Sequence, residues 1–282
     1  MRLKDRMEVY RYHPGSLILR ILMVLASAIT VGITVCIVGY ILIKGIPNLT
    51  LEQFAWEYNT DNVSMMPAII NTILMVLLVL LFAVPVGVGG AIYLVEYANR
   101  GNKLVKLIRI TAETLSGIPS IVYGLFGYLF FVIACRWGNS FLAGAITLAM
   151  MILPLILRTT EEALKSVPDS FREGSLGLGA GKLRTIFRII LPSAVPGILS
   201  GIILGIGRVV GETAALMYTA GTIAKIPGSL MDSGRTLAVH MYALLSEGLY
   251  MEQAYASAVI LLIVVLLINA CSGWVAKRLT KG

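Results

Sequence analysis

Apolar residues in this chain are gathered into long runs that are separated by short polar segments. A helix needs about 20 predominantly apolar residues to cross the hydrocarbon core of a bilayer. Runs near that length, almost free of charged residues, cover residues 17–43, 67–95, 114–135, 141–157, 189–207 and 254–276. The pattern therefore predicts an all-α membrane protein with six transmembrane helices.

Composition and charge support this prediction and orient the helices. Charged residues make up 13 % of the chain, whereas soluble domains contain about 25 %. The segment at residues 44–66 carries three acidic residues and one lysine. Basic residues are concentrated at both termini and in two alternate links: Arg2, Lys4, Arg6, Arg11, Arg100, Lys103, Lys106, Arg109, Lys165, Arg172, Lys182, Arg184, Arg188, Lys277, Arg278 and Lys281. Cationic loops stay in the cytoplasm, so we predict an N-in/C-in topology, and the net charge of +8 does not indicate nucleic-acid binding.

The first apolar run begins like a secretory signal, with a basic head and small residues at 26–28. It continues to Ile43, which is too long for a signal core, so we predict an uncleaved first span. We expect a cytoplasmic N-terminal segment at residues 1–16, one membrane domain at 17–276 and a cytoplasmic tail at 277–282. The cysteines Cys36, Cys135 and Cys271 indicate neither a disulfide framework nor a metal site.

Residues 177–182 have the sequence GLGAGK, which resembles a phosphate-binding loop. That loop requires G-x-x-x-x-G-K-[ST], and here Leu176 and Leu183 replace the first glycine and the hydroxyl residue. The dinucleotide pattern G-x-G-x-x-G fails as well. The segment therefore does not predict a nucleotide site.

The same segment instead predicts a short cytoplasmic helix, a glycine turn and a second helix that enters the membrane. Asp169, after a proline, signals the start of the short helix. Gly179 and Gly181 are predicted to end it, and a helical pattern resumes over residues 182–191. Such a segment would project from the membrane as a compact surface that another protein can bind, and we call it the knob.

Residues of this knob match the EAA motif of ABC-importer permeases. The matching residues are Glu173, Gly174, Ser175, Gly179, Ile189, Leu191 and Pro192, with Gly174 and Ser175 in place of two alanines. Four further segments resemble the PstA family of phosphate-importer permeases: SGIPSIVYGLFG (116–127), LPLILRTTEEALKSVP (153–168), GIGRVVGETAALMYTAG (205–221) and SLMDSGRTLAVHMY (229–242). The resemblance extends from about residue 65 to the C-terminus.

The resemblance implies a type I ABC importer permease fold in the bacterial cytoplasmic membrane, with a cytoplasmic coupling helix in a loop at about residues 158–188. It implies an ATPase contact made by Glu173, Gly174, Ser175, Gly179, Leu191 and Pro192. The implied partners are a second homologous permease (PstC-like), two cytoplasmic ATPase subunits (PstB-like), an extracytoplasmic phosphate-binding protein (PstS-like) and membrane lipid. The chain would be no enzyme and would bind no cofactor, because ATP and Mg²⁺ would belong to the ATPase.

Arg208 and Glu212 are spaced to lie on one face of the fifth span. A charge within a span costs about 2.5–3.5 kcal/mol on insertion scales, so both residues need an explanation. The pair could hold the bundle together, or Arg208 could extend to the outer interface. We favour a role in the substrate pathway, because a guanidinium offers paired donors to a tetrahedral oxyanion. Glu212 would then orient Arg208.

Three other polar residues have open interpretations. Arg158 is either a cytoplasmic anchor of the fourth span or, as the resemblance implies, a contact on the anion route. Glu113 is interpreted as a possible helix-start charge of the third span. His240 lies on a predicted outer helix, RTLAVHMYALLSEG, which either lies on the outer surface or re-enters the membrane, and we do not predict that His240 is a ligand.

The sequence therefore predicts a permease subunit of an ATP-driven phosphate importer that forms half of the translocation pathway. One alternative is a permease for another oxyanion, such as molybdate or sulfate. A second is an ATP-independent transporter, which an inverted internal repeat would favour, and none is visible. A membrane enzyme is disfavoured, because no span carries a His/Cys/carboxylate cluster or a nucleophile with a base.

Overall fold

The computed structural model describes residues 14–99 and 101–280. The predicted cytoplasmic cations Arg2, Lys4, Arg6, Arg11, Arg100 and Lys281 lie outside the described residues. The described chain is built from helices and contains no strand. In chain order these are α1 (Pro14–Gly45), α2 (Met66–Ile92, continued by a π-helical turn, Tyr93–Tyr97), α3 (Lys103–Ser116), α4 (Ser120–Gly127, continued by π-helical Tyr128–Ala134), α5 (Phe141–Ser166), α6 (Asp169–Gly177), α7 (Lys182–Val210, π-helical over Ile186–Ile190), α8 (Ala214–Thr219), α9 (Leu237–Glu247) and α10 (Met251–Thr280).

Five of these helices, α1, α2, α5, α7 and α10, are each long and apolar enough to cross a membrane. The pair α3 and α4, which meet at an angle of 104°, makes a sixth when the bent pair is counted as one span. The six predicted spans are therefore confirmed, but the third is not continuous from residue 114. Pro119 disfavours a helical conformation at the preceding residue and has no N–H for a helical bond, so the chain turns between Ser116 and Ser120.

Helix α3 is amphipathic and differs from the spans around it. Val105 is buried on one face, while Leu104 and Leu107 are each 58 % exposed on another. A third face carries Lys106, Arg109 and Glu113. Because α3 follows the cytoplasmic end of α2 and is sharply bent relative to α4, it brings this charged face to the inner end of the bundle.

Helices α2, α5 and α7 pack together and form the centre of the bundle. One core cluster occupies the outer and middle parts and includes Met75, Leu148, Ile152 and Val209. A second cluster, at the cytoplasmic end, includes Ile190. The three helices therefore fix one another along their lengths, and α4 and α8 pack against α5 on one side.

The contact between α4 and α8 depends on Gly124. A Cβ atom at position 124 would lie 2.7 Å from the Cα of Ala215, and main chain cannot yield as a flexible side chain can. We expect Gly124→Ala to destabilise the purified protein by about 1–3 kcal/mol, the usual cost of overpacking, and to lower its thermal unfolding midpoint. Gly89→Ala is the matched control, because a Cβ there meets nothing within 4 Å. Equal midpoints for the two variants would contradict the prediction.

The cytoplasmic loop is shorter than predicted. Helix α5 continues beyond Arg158 to Ser166, and α7 begins at Lys182. The connecting segment therefore spans residues 167–181, and α6 occupies most of it. The residues predicted as loop on either side belong to the inner ends of two spans.

The predicted outer helix is present as α9, and it is anchored to the bundle. Asn71 of α2 donates through Nδ2 to the backbone oxygens of Lys225 and Arg235 at 2.8 and 3.1 Å. Leu237, at the start of α9, donates its N–H to the hydroxyl of Thr72 at 2.9 Å. The first turns of α9 are buried against α2 and α10, so the helix is packed into the outer end of the bundle rather than lying on it.

Candidate functional site

A pocket of about 510 Å³ opens between α3, α5 and α7. Arg158 and Arg208, which lie 50 positions apart in the sequence, both line it. We call it the central pocket. Its charged residues are Arg109, Glu113, Arg158, Glu161, Glu162, Lys165 and Arg208. The pocket therefore combines four cations with three carboxylates between three helices of the bundle.

Arg208 lies in the last turn of α7, and this turn packs beside the middle of α5. One turn before it, position 205 faces Ile152 and Ile156, and position 201 packs against Thr159. Arg208 is partly buried, and within the described chain no carboxylate lies within 4.0 Å of it. This position does not fit the interpretation that the Arg208 side chain extends to the outer membrane surface. Arg208 is instead a cation inside the bundle that has no ionic partner among the described residues.

The predicted relation between Arg208 and Glu212 is wrong. Helix α7 ends at Val210, and Glu212 lies beyond it, in the break before α8. Its carboxylate accepts a hydrogen bond from the N–H of Ala215 at 3.1 Å. Glu212 therefore holds the start of α8, and in the described structure it neither pairs with Arg208 nor lines the central pocket.

Arg158 and the glutamate that it pairs with, Glu162, both line the central pocket from α5. Its Nε lies 3.0 Å from Oε1 of Glu162, and both side chains are more than half exposed. Glu113 lies close enough to Arg158 to act on it electrostatically. The interpretation of Glu113 as a helix-start charge is wrong, because it lies in the last turns of α3.

The sequence did not predict the ionic cluster at the inner edge of this pocket. Oε1 of Glu161 lies 2.7 Å from Nη2 of Arg109 and 2.5 Å from Nζ of Lys165. The Glu161 side chain is only 9 % exposed. The spacing of Glu161 and Lys165 on one helix is a signal that could have revealed half of the cluster, whereas the contribution of Arg109 depends on the bend between α3 and α4.

Helix α6 forms the predicted knob, and its turn has the predicted form. It begins after Pro168, as expected, and ends at Gly177. Gly179 has φ +84°, a conformation that favours glycine. Phe171, Leu176 and Leu178 are 50, 51 and 91 % exposed. Because this segment lies on the cytoplasmic side of the bundle, such exposed apolar side chains indicate a protein partner.

Two contacts fix α6 to the membrane helices. The hydroxyl of Ser175 is buried and lies 2.9 Å from the hydroxyl of Thr185 on α7. Arg172 donates to Glu96, at the end of α2, through Nη2 at 2.8 Å and through Nε at 3.1 Å. Nη2 and Nη1 of Arg172 also donate to the backbone oxygens of Leu164 and Val167, each at 2.9 Å.

The residues of the EAA motif separate into two places. Glu173, Gly174 and Gly179 are exposed on the knob, whereas Ser175 faces α7. Leu191 and Pro192 lie further along α7, directly after its π-helical turn. Leu191 packs against the inner core cluster, so it positions the helix rather than extending the exposed surface.

His240 is completely buried near the outer end of the bundle. Its ring lies 6.2 Å from the ring of Tyr58, measured between centroids. Burial, together with the nearby charge of Arg235, lowers the pKa of His240 to about 3, so it is uncharged at neutral pH. Within residues 14–99 and 101–280, no group of three or more His, Cys, Asp or Glu side chains is arranged to hold a metal ion.

Known proteins share this architecture and sequence. Residues 83–282 match the family described as "Binding-protein-dependent transport system inner membrane component". The chain is 34 % identical over 280 residues to the probable ABC transporter permease protein YqgI of Bacillus subtilis, covering 91 % of this chain and 93 % of that protein. It is 35 % identical over 239 residues to the phosphate transport system permease protein PstA of Pasteurella multocida, covering 80 % and 81 %.

A solved structure supports the fold. A chain in the crystal structure of a bacterial alginate ABC transporter, in complex with a periplasmic protein bound to an alginate pentasaccharide, superposes with a TM-score of 0.67 at 16 % identity, covering 100 % of this chain and 99 % of that chain. At this identity the likeness concerns the fold alone. The family match covers more than half of the sequence, and the spans agree with it. The chain therefore belongs to the inner membrane components of binding-protein-dependent transport systems and is a multi-pass protein of the cytoplasmic membrane.

Proposed function

We propose that this chain is the PstA-type permease subunit of an ATP-driven phosphate importer and forms half of its translocation pathway. The observation that carries the proposal is Arg208, a cation in the middle of the bundle with no carboxylate within 4.0 Å among the described residues. A charge at this depth is costly, and an anionic substrate would supply the missing partner. Arg158 lines the same pocket nearer the cytoplasm and would contact the anion next.

Phosphate is favoured among oxyanions by sequence likeness. A relative that covers four-fifths of the chain is named a phosphate transport permease. Guanidinium groups bind tetrahedral oxyanions through paired donors, which suits phosphate but also sulfate and molybdate. The choice among these anions therefore rests on the relative, and competition between anions is the direct test.

The coupling helix α6 is proposed to dock on a separate ATPase subunit through Glu173 and the exposed side chains of Phe171 and Leu178. ATP and Mg²⁺ would be bound there, and this chain would contribute no catalytic residue. The other proposed partners are a second, PstC-like permease, two PstB-like ATPase subunits and a PstS-like binding protein outside. Helix α1 is exposed along its apolar length, so its surface remains for lipid or for the second permease.

Uptake of radiolabelled phosphate tests this function. Cells that lack the chain and every other phosphate importer should lose uptake at low phosphate concentration, and the wild-type gene should restore it. Glu173→Lys should not restore it, because a reversed charge on the exposed knob opposes docking while leaving the fold intact. Arg278→Gln should restore uptake, because Arg278 packs on Trp274 at the cytoplasmic end of α10, away from both features.

Competing anions decide the substrate. Phosphate uptake that is unchanged by a large excess of sulfate or molybdate supports phosphate as the substrate. Uptake abolished by one of those anions assigns the pathway to that anion instead. Phosphate uptake that does not depend on the chain would refute the proposal.

A further inference from the structure

A second pocket lies on the cytoplasmic side of the central pocket and shares a wall with it. It has a volume of about 600 Å³ and is enclosed by the end of α2, the start of α3 and the coupling helix α6. Arg109 and Lys165 line both pockets. These two side chains therefore stand between the central pocket and the second one, which we call the exit chamber.

The shared wall is held together by one carboxylate oxygen. Arg109 and Lys165 both bind Oε1 of Glu161, at 2.7 and 2.5 Å, so their cationic groups lie within about 5 Å of each other. The Glu161 side chain is 9 % exposed, while those of Arg109 and Lys165 are 43 and 53 % exposed. Each cation can therefore meet a ligand from the open side while Glu161 remains within the protein.

We propose that the Arg109–Glu161–Lys165 cluster is the inner barrier on the phosphate route. This inference rests on the proposed function. Phosphate leaves the central pocket by replacing the Glu161 carboxylate on Arg109 and Lys165, and Glu161 then displaces phosphate into the exit chamber. One oxyanion exchanges for another on the same donors, so neither cation is left without a partner. Glu161 keeps the two cations from retaining the anion.

The exit chamber connects this barrier to the coupling helix. Asp169 and Arg172, both of α6, line the chamber, and Arg172 joins α6 to Glu96 across it. Lys106 lines it as well and, in the described part of the chain, has no carboxylate within 4.0 Å, so it can receive the departing anion. Because α6 forms part of the wall, its movement with the ATPase changes the space into which phosphate is released.

Glu161→Gln tests the barrier in the assembled complex of both permeases and the ATPase subunits, to which the binding protein is added only for the transport assay. Loss of the carboxylate leaves two cations uncompensated, so inorganic phosphate should bind the nucleotide-free complex in nanodiscs about tenfold more tightly. In proteoliposomes, kcat and KM for ATP-driven uptake should both fall, because release becomes slow. Adding Lys165→Gln to this variant removes the surplus cation and should return the affinity to within about threefold of wild type.

Glu247→Gln is the control for loss of one carboxylate, because Glu247 is exposed at the end of the outer helix α9 and lines neither pocket. It should change phosphate affinity by less than about threefold. Unchanged affinity in Glu161→Gln, an equal shift in Glu247→Gln, or no reversal by Lys165→Gln would overturn the barrier. These results would leave the proposed function intact as long as uptake still depends on Arg208.

Assembly of the complex is checked by co-purification of the ATPase. Should Glu161→Gln fail to assemble, Lys165→Gln alone decides the question. Its exposed side chain can be replaced without leaving Glu161 unpaired, since Arg109 remains. Phosphate should then bind about threefold more weakly, and an unchanged affinity would refute the barrier.

Discussion

Replacement of Arg208 by glutamine should lower phosphate uptake by about 10- to 100-fold, because hydrogen bonds to a charged group each contribute about 1.5–3 kcal/mol. Glutamine keeps a polar side chain of similar reach but loses the charge and the paired donors. Arg208→Lys should retain part of the uptake, since lysine preserves the charge without the planar fork. Initial rates of radiolabelled phosphate uptake in complemented cells measure both effects.

The neighbouring arginine provides a comparison within the same pocket. Arg158 is already paired with Glu162 at 3.0 Å, so removing it leaves a carboxylate that repels the anion. A pathway role for both residues predicts that each loss is specific to uptake and leaves expression and ATPase co-purification unchanged. Wild-type uptake by Arg208→Gln would show that Arg208 only stabilises the bundle, and the pathway would then have to lie elsewhere.

Much of the fold could be predicted from apolar run length, because each membrane span must satisfy its own backbone within the bilayer. That rule gave the six spans, whereas the helix-start signal at Asp169 and the helical pattern of RTLAVHMYALLSEG gave the cytoplasmic knob and the outer helix. It could not give the break before Ser120. The apolar run from residue 114 includes three residues of an amphipathic helix, and the direction of that helix is set by packing against α5.

The site was predictable only in part, for a related reason. Arg208 and Arg158 stand out because they interrupt apolar runs, whereas Glu161 and Arg109 are ordinary in a polar segment. Their contact follows from the bend that places α3 beside α5. The pairing of Arg208 with Glu212 failed because helical spacing was extended past Val210, where α7 ends. The stop signal is Gly211, which follows the last turn as the C-cap, and helical spacing alone does not take it into account.

Replacement of Arg172 by alanine should uncouple ATP hydrolysis from phosphate uptake. Five hydrogen bonds would be lost, and the Glu96 carboxylate, 9 % exposed, would keep no ionic partner among the described residues. Removing one member of a largely buried pair costs about 3–5 kcal/mol. This cost exceeds the stabilising free energy that one short helix can supply. The helix α6 should therefore lose its fixed position, and the amount of phosphate imported per ATP should fall severalfold in proteoliposomes.

A double variant distinguishes the effect of displacing α6 from the effect of leaving the Glu96 carboxylate unpaired. Adding Glu96→Gln to Arg172→Ala removes the unpaired carboxylate, so thermal stability should recover while coupling stays low, because the link between α2 and α6 is still missing. Glu173→Lys should show the reverse pattern: stability like wild type, with poor ATPase docking, since Glu173 is exposed and makes no ion pair in the described chain. If the double variant regains full coupling, the link through Arg172 does not transmit the movement. The contact between the hydroxyls of Ser175 and Thr185 would then be the next link between α6 and the membrane helices to test.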